Sequence, residues 1–122
     1  MALPLQNIRV LLVEDDPIIG LDLRQTLEAA GALVFGPAHD IHGAMALLDT
    51  SPVEVAVLDN LIVGGDSLSI ADFLAQRGVA FLFHTSHRGE LRKHYPNVPI
   101  IDKPSRPGEL VKVLQTLLGR SG

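Results

Sequence analysis

Five short apolar runs recur along this chain, and four of them end directly on charged or hydroxyl side chains. The runs are Ile8 to Val13, Leu33 to Phe35, Val53 to Leu58, Val79 to Phe83 and Val98 to Ile101. Their continuous apolar character is typical of strands that are covered on both faces of a sheet. Segments with helical spacing of apolar residues lie between the runs. This alternation predicts an α/β domain with a parallel sheet.

The segments between the runs carry helix signals. Asp16 and Pro17 can form the N-cap and the first position of a helix that Gly31 ends. Apolar residues at helical spacing fall in four segments: Ile19, Leu23, Leu27 and Ala30; Ala44, Leu47 and Leu48; Ile70, Phe73 and Leu74; and Leu110, Val113, Leu114 and Leu117 before Gly119. Between residues 86 and 97, Leu91 is almost the only apolar anchor. We expect a short, weakly held helix there.

The spacing of the polar run ends predicts the topology. A parallel crossover needs roughly a dozen residues or more, and the gaps between Asp15, Asp59, Thr85 and Lys103 each hold one or two crossovers. Because crossovers are right-handed, helices cover both faces of the sheet. We therefore predict a doubly wound, flavodoxin-like, five-stranded parallel sheet of order 2-1-3-4-5. The polar ends meet where the strand order reverses, between the first and third strands.

Composition agrees with one domain and excludes several classes of function. The chain has 122 residues, of which 47% are hydrophobic and 20% charged, so we expect a single domain over residues 1–122. A net charge of −4 offers no basic footprint for nucleic acid. The absence of cysteine excludes disulfides and thiolate metal sites. No run approaches the ~18 apolar residues of a membrane span, and no leader pattern is visible, so we expect a cytoplasmic protein without a membrane partner.

Four motifs at the predicted strand ends together resemble the receiver domain of two-component response regulators, typified by the chemotaxis response regulator. They are Leu11-Leu-Val-Glu-Asp-Asp-Pro17, Val55-Ala-Val-Leu-Asp-Asn60, Phe83-His-Thr-Ser86 and Ile101-Asp-Lys-Pro104. Each motif alone is weak, but four in this order, each after a predicted strand, are specific. The resemblance covers essentially the whole chain.

The resemblance implies a role for each motif. The family's acidic pair falls on Glu14 and Asp15, its phosphorylated aspartate on Asp59, its switch hydroxyl on Thr85 and its lysine on Lys103. The backbone carbonyl of Leu61 would complete the protein's ligands to Mg2+. Residue chemistry favours the same ion, because three converging carboxylates repel each other and a hard cation with oxygen ligands relieves that repulsion.

The implied function is that of a phosphoacceptor in a phosphorelay. A sensor histidine kinase or a phosphotransfer protein would donate a phosphoryl group from phosphohistidine to Asp59, and the change would switch binding of a downstream protein target. The domain would catalyse its own phosphorylation and slow dephosphorylation without being a conventional turnover enzyme. We expect a stand-alone receiver, whose output comes from a bound partner or from a domain outside this sequence. Pairing of two copies through the fourth and fifth helices is common in the family.

Two departures from the family pattern concern signal transmission and phosphoryl lifetime. The loop after the acceptor, Leu61 to Asp66, lacks the usual proline and contains Gly64-Gly65, which predicts flexibility. Ile100 stands where the family commonly has an aromatic switch residue. Tyr95 does not replace that residue, because it belongs to the preceding loop. In the family, the positions of Leu61 and His87 flank the attacking water.

Other interpretations remain open beside the receiver. Carboxylates after a strand commonly cap a helix, a role that suits Asp16. The pairs His39-x-x-His42 and His84-x-x-His87 have a spacing that zinc could use, without a supporting cluster. A haloacid-dehalogenase-type hydrolase would carry its nucleophile on the first strand, and nucleotide binding would need glycines in the first turn. An interaction module that keeps the fold without phosphorylation is the better alternative.

Overall fold

The computed structural model describes residues 3–59, 61–62, 65–66, 68–86 and 88–119, and for residues 61–62, 65–66 and 90 it covers the backbone alone. The strands are β1 (Arg9–Val13), β2 (Leu33–Ala38), β3 (Val55–Leu58), β4 (Leu61–Ile62), β5 (Gly65–Asp66), β6 (Ala80–Thr85) and β7 (Ile100–Asp102). The helices are α1 (Pro17–Ala29), α2 (Ile41–Thr50), α3 (Leu68–Gln76), α4 (Gly89–His94) and α5 (Pro107–Leu117). No helix among these is long and apolar enough to cross a membrane.

Five strands form one parallel sheet in the order β2-β1-β3-β6-β7. This confirms the predicted fold class and the order 2-1-3-4-5. The order reverses between β1 and β3, and an open cleft forms at the carboxyl ends of strands on either side of such a reversal. The edge that carries the polar motifs is therefore the edge where a site is expected.

Helices cover both faces of the sheet and bury two apolar clusters. One cluster joins Val10, Leu12 and Val57 to the inner faces of α1 and α5. The other joins Leu11, Leu58 and Phe83 to α2, α3 and α4. Alternate residues of a strand point to opposite faces, so a strand covered on both sides needs apolar residues at every position. All four residues of β3 are buried accordingly.

Local signals fix the start of α1. The Asp16 carboxylate accepts hydrogen bonds from the backbone N–H groups of Ile18 and Ile19, at 2.9 and 3.2 Å. These bonds satisfy donors that the first helical turn leaves free, while Pro17 lacks the N–H that would need a partner. The predicted cap is confirmed. It leaves Asp16 outside the acidic cluster described below.

Several strand bounds differ from the sequence prediction; β2, for example, extends to Ala38, beyond the predicted end at Phe35. Strand β6 continues through His84 and Thr85 because both residues pair with β7, and both side chains are buried although they are polar. The backbone after Asp59 forms a small antiparallel pair, β4 with β5, within the segment in which we expected a flexible loop; the pairing itself was not predicted. Strands of two residues are too short for a hydrophobic pattern to reveal them. Gly64 lies outside the described residues.

Candidate functional site

The sheet register brings the four polar motifs to one edge. Val13 pairs with Leu58, and Leu58 pairs with Phe83 on the next strand. Backbone pairing continues one residue beyond the strand ends: the Asp59 N–H donates to the Val13 carbonyl at 2.9 Å, and the Lys103 N–H donates to the Thr85 carbonyl at 3.0 Å. The backbones of Asp59 and Lys103 are thus held by the same ladder that builds the sheet.

Three carboxylates converge at this edge. One oxygen from each of Glu14, Asp15 and Asp59 lies within 4.8 Å of the others. Glu14 is fully buried and Asp59 is 5% exposed, whereas Asp15 is exposed. The second Glu14 oxygen, Oε2, accepts a hydrogen bond from the Asp16 N–H at 3.1 Å. The cluster therefore has a buried floor and one member open to solvent.

Lys103 neutralises part of the cluster. Its Nζ lies 2.8 Å from Glu14 Oε1 and 3.1 Å from Asp59 Oδ1, and 15% of its side chain is exposed. Burial alone would lower the pKa of Lys103, but its contacts with these two carboxylates outweigh burial and raise that pKa above its ordinary value. The ammonium is therefore charged at neutral pH.

The two buried carboxylates have opposite pKa shifts. Burial raises the pKa of Glu14 to about 7, against the lowering effect of Lys103. Burial would also raise the pKa of Asp59, but hydrogen bonds with Asp15 and Glu14 and the charge of Lys103 hold it below its ordinary value. Near neutral pH Asp59 is an anion, while Glu14 is close to the midpoint of its titration. An ionised Asp59 is the form that can act as a nucleophile.

The residues present fit a hard divalent cation. The three carboxylates supply the oxygen ligands that Mg2+ takes. Glu14 Oε1 is buried, and although it meets the Lys103 ammonium, no group among the described residues gives it a hydrogen bond of good geometry. A buried anionic oxygen in this state gains from a second cation.

The structure describes Thr85 in full but only the backbone of Leu61. Thr85 ends β6, is fully buried and lies on the strand next to β3. Leu61 begins β4, two residues after Asp59, and its side chain lies outside the described atoms. The roles of Thr85 as switch hydroxyl and of the Leu61 carbonyl as metal ligand stay predictions. Glu14, Asp15, Asp59 and Lys103 are the residues that the fold brings together.

Histidines make contacts that the sequence analysis missed. His39 Nδ1 donates to the backbone carbonyl of Glu14 at 2.9 Å, and His84 Nε2 lies 2.8 Å from the Ser105 hydroxyl. In the described part of the chain, the ligand cluster is the acidic one, and these two rings instead form hydrogen bonds. His87 lies outside the described residues. A polar residue within an apolar strand run is the signal that could have drawn attention to His84.

Tyr95 also makes more tertiary contacts than its place in the sequence indicates. It follows α4 directly and lies outside β7, as expected, but its ring packs edge-on against Phe81 with centroids 5.3 Å apart. The ring also lies 6.1 Å from that of Phe83, the residue that pairs with Ile100, and its hydroxyl donates to Asp72. The short helix α4 therefore has two apolar anchors, Tyr95 and the fully buried Leu91.

No family model and no curated protein sequence matches the chain. Solved structures do match. The HemR receiver domain from Leptospira biflexa is 27% identical, with a TM-score of 0.80 over 95% of this chain and 98% of the other. SdrG from Sphingomonas melonis is 30% identical, with a TM-score of 0.76 over 92% and 97%. A chemotaxis response regulator of Vibrio cholerae is 22% identical, with a TM-score of 0.79 over 92% and 99%, which is a likeness of fold.

Proposed function

Because this chain belongs to the receiver domains of response regulators, we propose that Asp59 accepts a phosphoryl group from a phosphohistidine donor in an Mg2+-dependent reaction. The observation that supports this most is the meeting of Asp59 with two further carboxylates and the Lys103 ammonium at the carboxyl edge of the sheet. An ionised carboxylate beside a cation and a metal site is the equipment that phosphoryl transfer to aspartate requires.

The proposed chemistry assigns each residue a step. An Asp59 oxygen attacks phosphorus in line, the new P–O bond forms an acyl phosphate, and the bond from phosphorus to the donor imidazole nitrogen breaks. Lys103 neutralises charge that develops on the phosphoryl oxygens, and the Thr85 hydroxyl donates to one of them. Glu14, Asp15, Asp59 and the Leu61 carbonyl would hold Mg2+, which supplies further charge neutralisation when bound. Positioning and electrostatics account for the rate.

The proposal extends to partners. A sensor histidine kinase or a phosphotransfer protein would supply the phosphoryl group, and a downstream protein target would distinguish the two states. The basic residues of the α4 region, Arg88, Arg92 and Lys93, are exposed and could face that target. A homodimer is a further candidate assembly. We take the whole sequence as one receiver domain that modifies itself and is not a conventional turnover enzyme.

The test is incubation with a small phosphodonor and Mg2+, followed by intact mass measurement. We expect an adduct of about 80 Da, the mass of a phosphoryl group, that is absent without Mg2+ and absent in Asp59→Asn. Asp16→Asn is the matched control, because it changes a neighbouring carboxylate that caps α1, and it should keep the adduct. An adduct that persists in Asp59→Asn would overturn the assignment.

Lys103 is tested separately. Lys103→Ala should still bind Mg2+ but should be labelled more slowly, since the ammonium contacts Asp59 without being a metal ligand. The alternative function has its own outcome. If the folded wild-type protein is not labelled and a target protein still binds it, the chain is an interaction module that works without phosphorylation.

A further inference from the structure

A partly buried hydrogen bond joins β6 to the turn that follows Lys103. His84 is 2% exposed in the strand next to β7, and its Nε2 lies 2.8 Å from the hydroxyl of Ser105. Ser105 is two residues beyond Lys103 in the chain. The contact therefore joins the end of β6 to the turn that carries Lys103.

Strand β7 ends at Asp102, whose carboxylate accepts hydrogen bonds from Arg88 at 2.7 and 2.8 Å, and the turn after Lys103 lies beyond this contact. The Lys103 N–H donates to Thr85, and Pro104, joined to Lys103 by a cis bond, has no N–H with which to continue the ladder. In the described part of the chain, the next backbone hydrogen bond after this one runs from the Glu109 N–H to the Arg106 carbonyl, at the start of α5. The side-chain contact of Ser105 with His84 lies in this interval.

If packing were the only role of His84, an apolar side chain at this position would cost less free energy to bury. Its Nδ1 is buried, and among the described residues it has no hydrogen-bond partner. Burial and the nearby charge of Lys103 hold the pKa of His84 below its ordinary value, so the ring is neutral. For the unpaired Nδ1, being a bare acceptor costs less than being a buried N–H without a partner. The proton is therefore on Nε2, which donates to Ser105 Oγ. A buried polar group with an unsatisfied atom calls for a functional explanation.

We propose that His84 and Ser105 are positioning residues for Lys103, in that their hydrogen bond holds the turn after β7 and so keeps the ammonium against Asp59. This rests on the proposed phosphoacceptor function. The ammonium reaches Glu14 Oε1 at 2.8 Å and Asp59 Oδ1 at 3.1 Å. Its backbone is restrained by the pairing of Asp102 with Arg88 before it, by its own bond to Thr85, and by this tie after it. Small displacements of a charged group that stabilises a transition state reduce the rate strongly.

The variants separate the hydrogen bond from packing. Ser105→Ala removes the hydroxyl with little change in volume, and His84→Leu replaces the ring by an apolar side chain. His84→Gln can place an amide N–H close to the former Nε2 position and should restore the bond. The rate constant for labelling is measured at saturating small phosphodonor and saturating Mg2+, and half-saturation by each is measured separately.

We expect Ser105→Ala and His84→Leu each to lower the maximal labelling rate on the order of tenfold, with Mg2+ affinity within about twofold of wild type. The double variant should be no slower than either single variant, and His84→Gln should keep at least about half of the rate. Unchanged labelling in Ser105→Ala, or a loss of Mg2+ affinity that matches the loss of rate, would overturn the proposal.

A second readout does not depend on phosphorylation. The side-chain ammonium of Lys103 should give a resolved, exchange-protected NMR signal in the wild-type protein, because the group is nearly buried between two carboxylates. That signal should broaden or vanish in Ser105→Ala and return in Ser105→Thr. Failure of wild-type labelling would refute the phosphoacceptor function alone, whereas an unchanged Lys103 signal in Ser105→Ala would refute the positioning role alone.

Discussion

Glu14 should make the metal-free protein less stable as pH rises through neutrality. Its pKa rises from the ordinary 4.5 to about 7 on folding, mainly because the carboxyl is buried. The folded state thus binds a proton that the unfolded state has released, and stability is lost as pH increases from 4.5 to about 7. Each tenfold change in a proton equilibrium is worth about 1.4 kcal/mol, so the full loss is about 3 kcal/mol.

The other shifted groups do not hide this effect. The lowered pKa of Asp59 costs stability only as pH falls below its ordinary 3.8, and the raised pKa of Lys103 matters only near and above its ordinary 10.5. The lowered pKa of His84 has the opposite sign, since stability then rises with pH through 6.5. A variant in which only residue 14 no longer titrates keeps the His84 contribution, which therefore cancels when the variant is compared with wild type.

The assay is urea unfolding followed by circular dichroism at pH 5 and pH 8, with a chelator present. Wild-type protein should lose about 2 to 3 kcal/mol more between these pH values than Glu14→Gln does. The exposed change Glu28→Gln on α1 is the matched control and should keep the wild-type pH dependence. Mg2+ at pH 8 should stabilise wild type more than Glu14→Gln. Equal pH dependence in wild type and Glu14→Gln would refute the burial argument.

Three further predictions address lifetime, switching and the aromatic cluster. Leu61→Asn should speed loss of the phosphoryl group from Asp59, because an amide can orient water that an apolar side chain excludes; unchanged decay would leave His87 or a partner phosphatase in control. Phosphorylation should change amide hydrogen exchange most in residues 86–97, and equal protection in both states with changes elsewhere would place the switch outside this segment. Burial and the bond to Asp72 raise the pKa of Tyr95 to about 12, so ultraviolet titration of this single tyrosine should show a lower pKa in Asp72→Asn; the wild-type value in that variant would contradict the contact.

Apolar runs were enough to predict the parallel sheet and its strand order. Continuous runs such as Val55 to Leu58 are required wherever a strand is covered on both faces, and their polar ends fall at one edge by topology alone. The meeting of Glu14, Asp15, Asp59 and Lys103 followed from the same reasoning. What the pattern could not show were the contacts of Tyr95 with its aromatic neighbours and of His84 with Ser105.

Those contacts depend on distances that no local pattern encodes. The ring of Tyr95 reaches Phe81 and Phe83 only because α4 folds back over β6, and the tie from His84 to Ser105 requires the register of β6 with β7. Both contacts involve a polar or aromatic side chain that does not follow the simple apolar pattern of strands and helices. Such interruptions are where local rules give way to tertiary packing and where functional groups are found.

The two members of the acidic pair are unequal, and this inequality orders events at the site. Glu14 lies on the buried floor and shares the Lys103 ammonium with Asp59, whereas Asp15 is open to solvent. A cation bound as proposed would therefore meet Asp15 first and would share the buried carboxylates with Lys103. Because Glu14 is near the midpoint of its titration at neutral pH, such binding would release a proton as well as redistribute charge. Proton release measured on Mg2+ addition should consequently be larger at pH 7 than at pH 9, where Glu14 is already ionised.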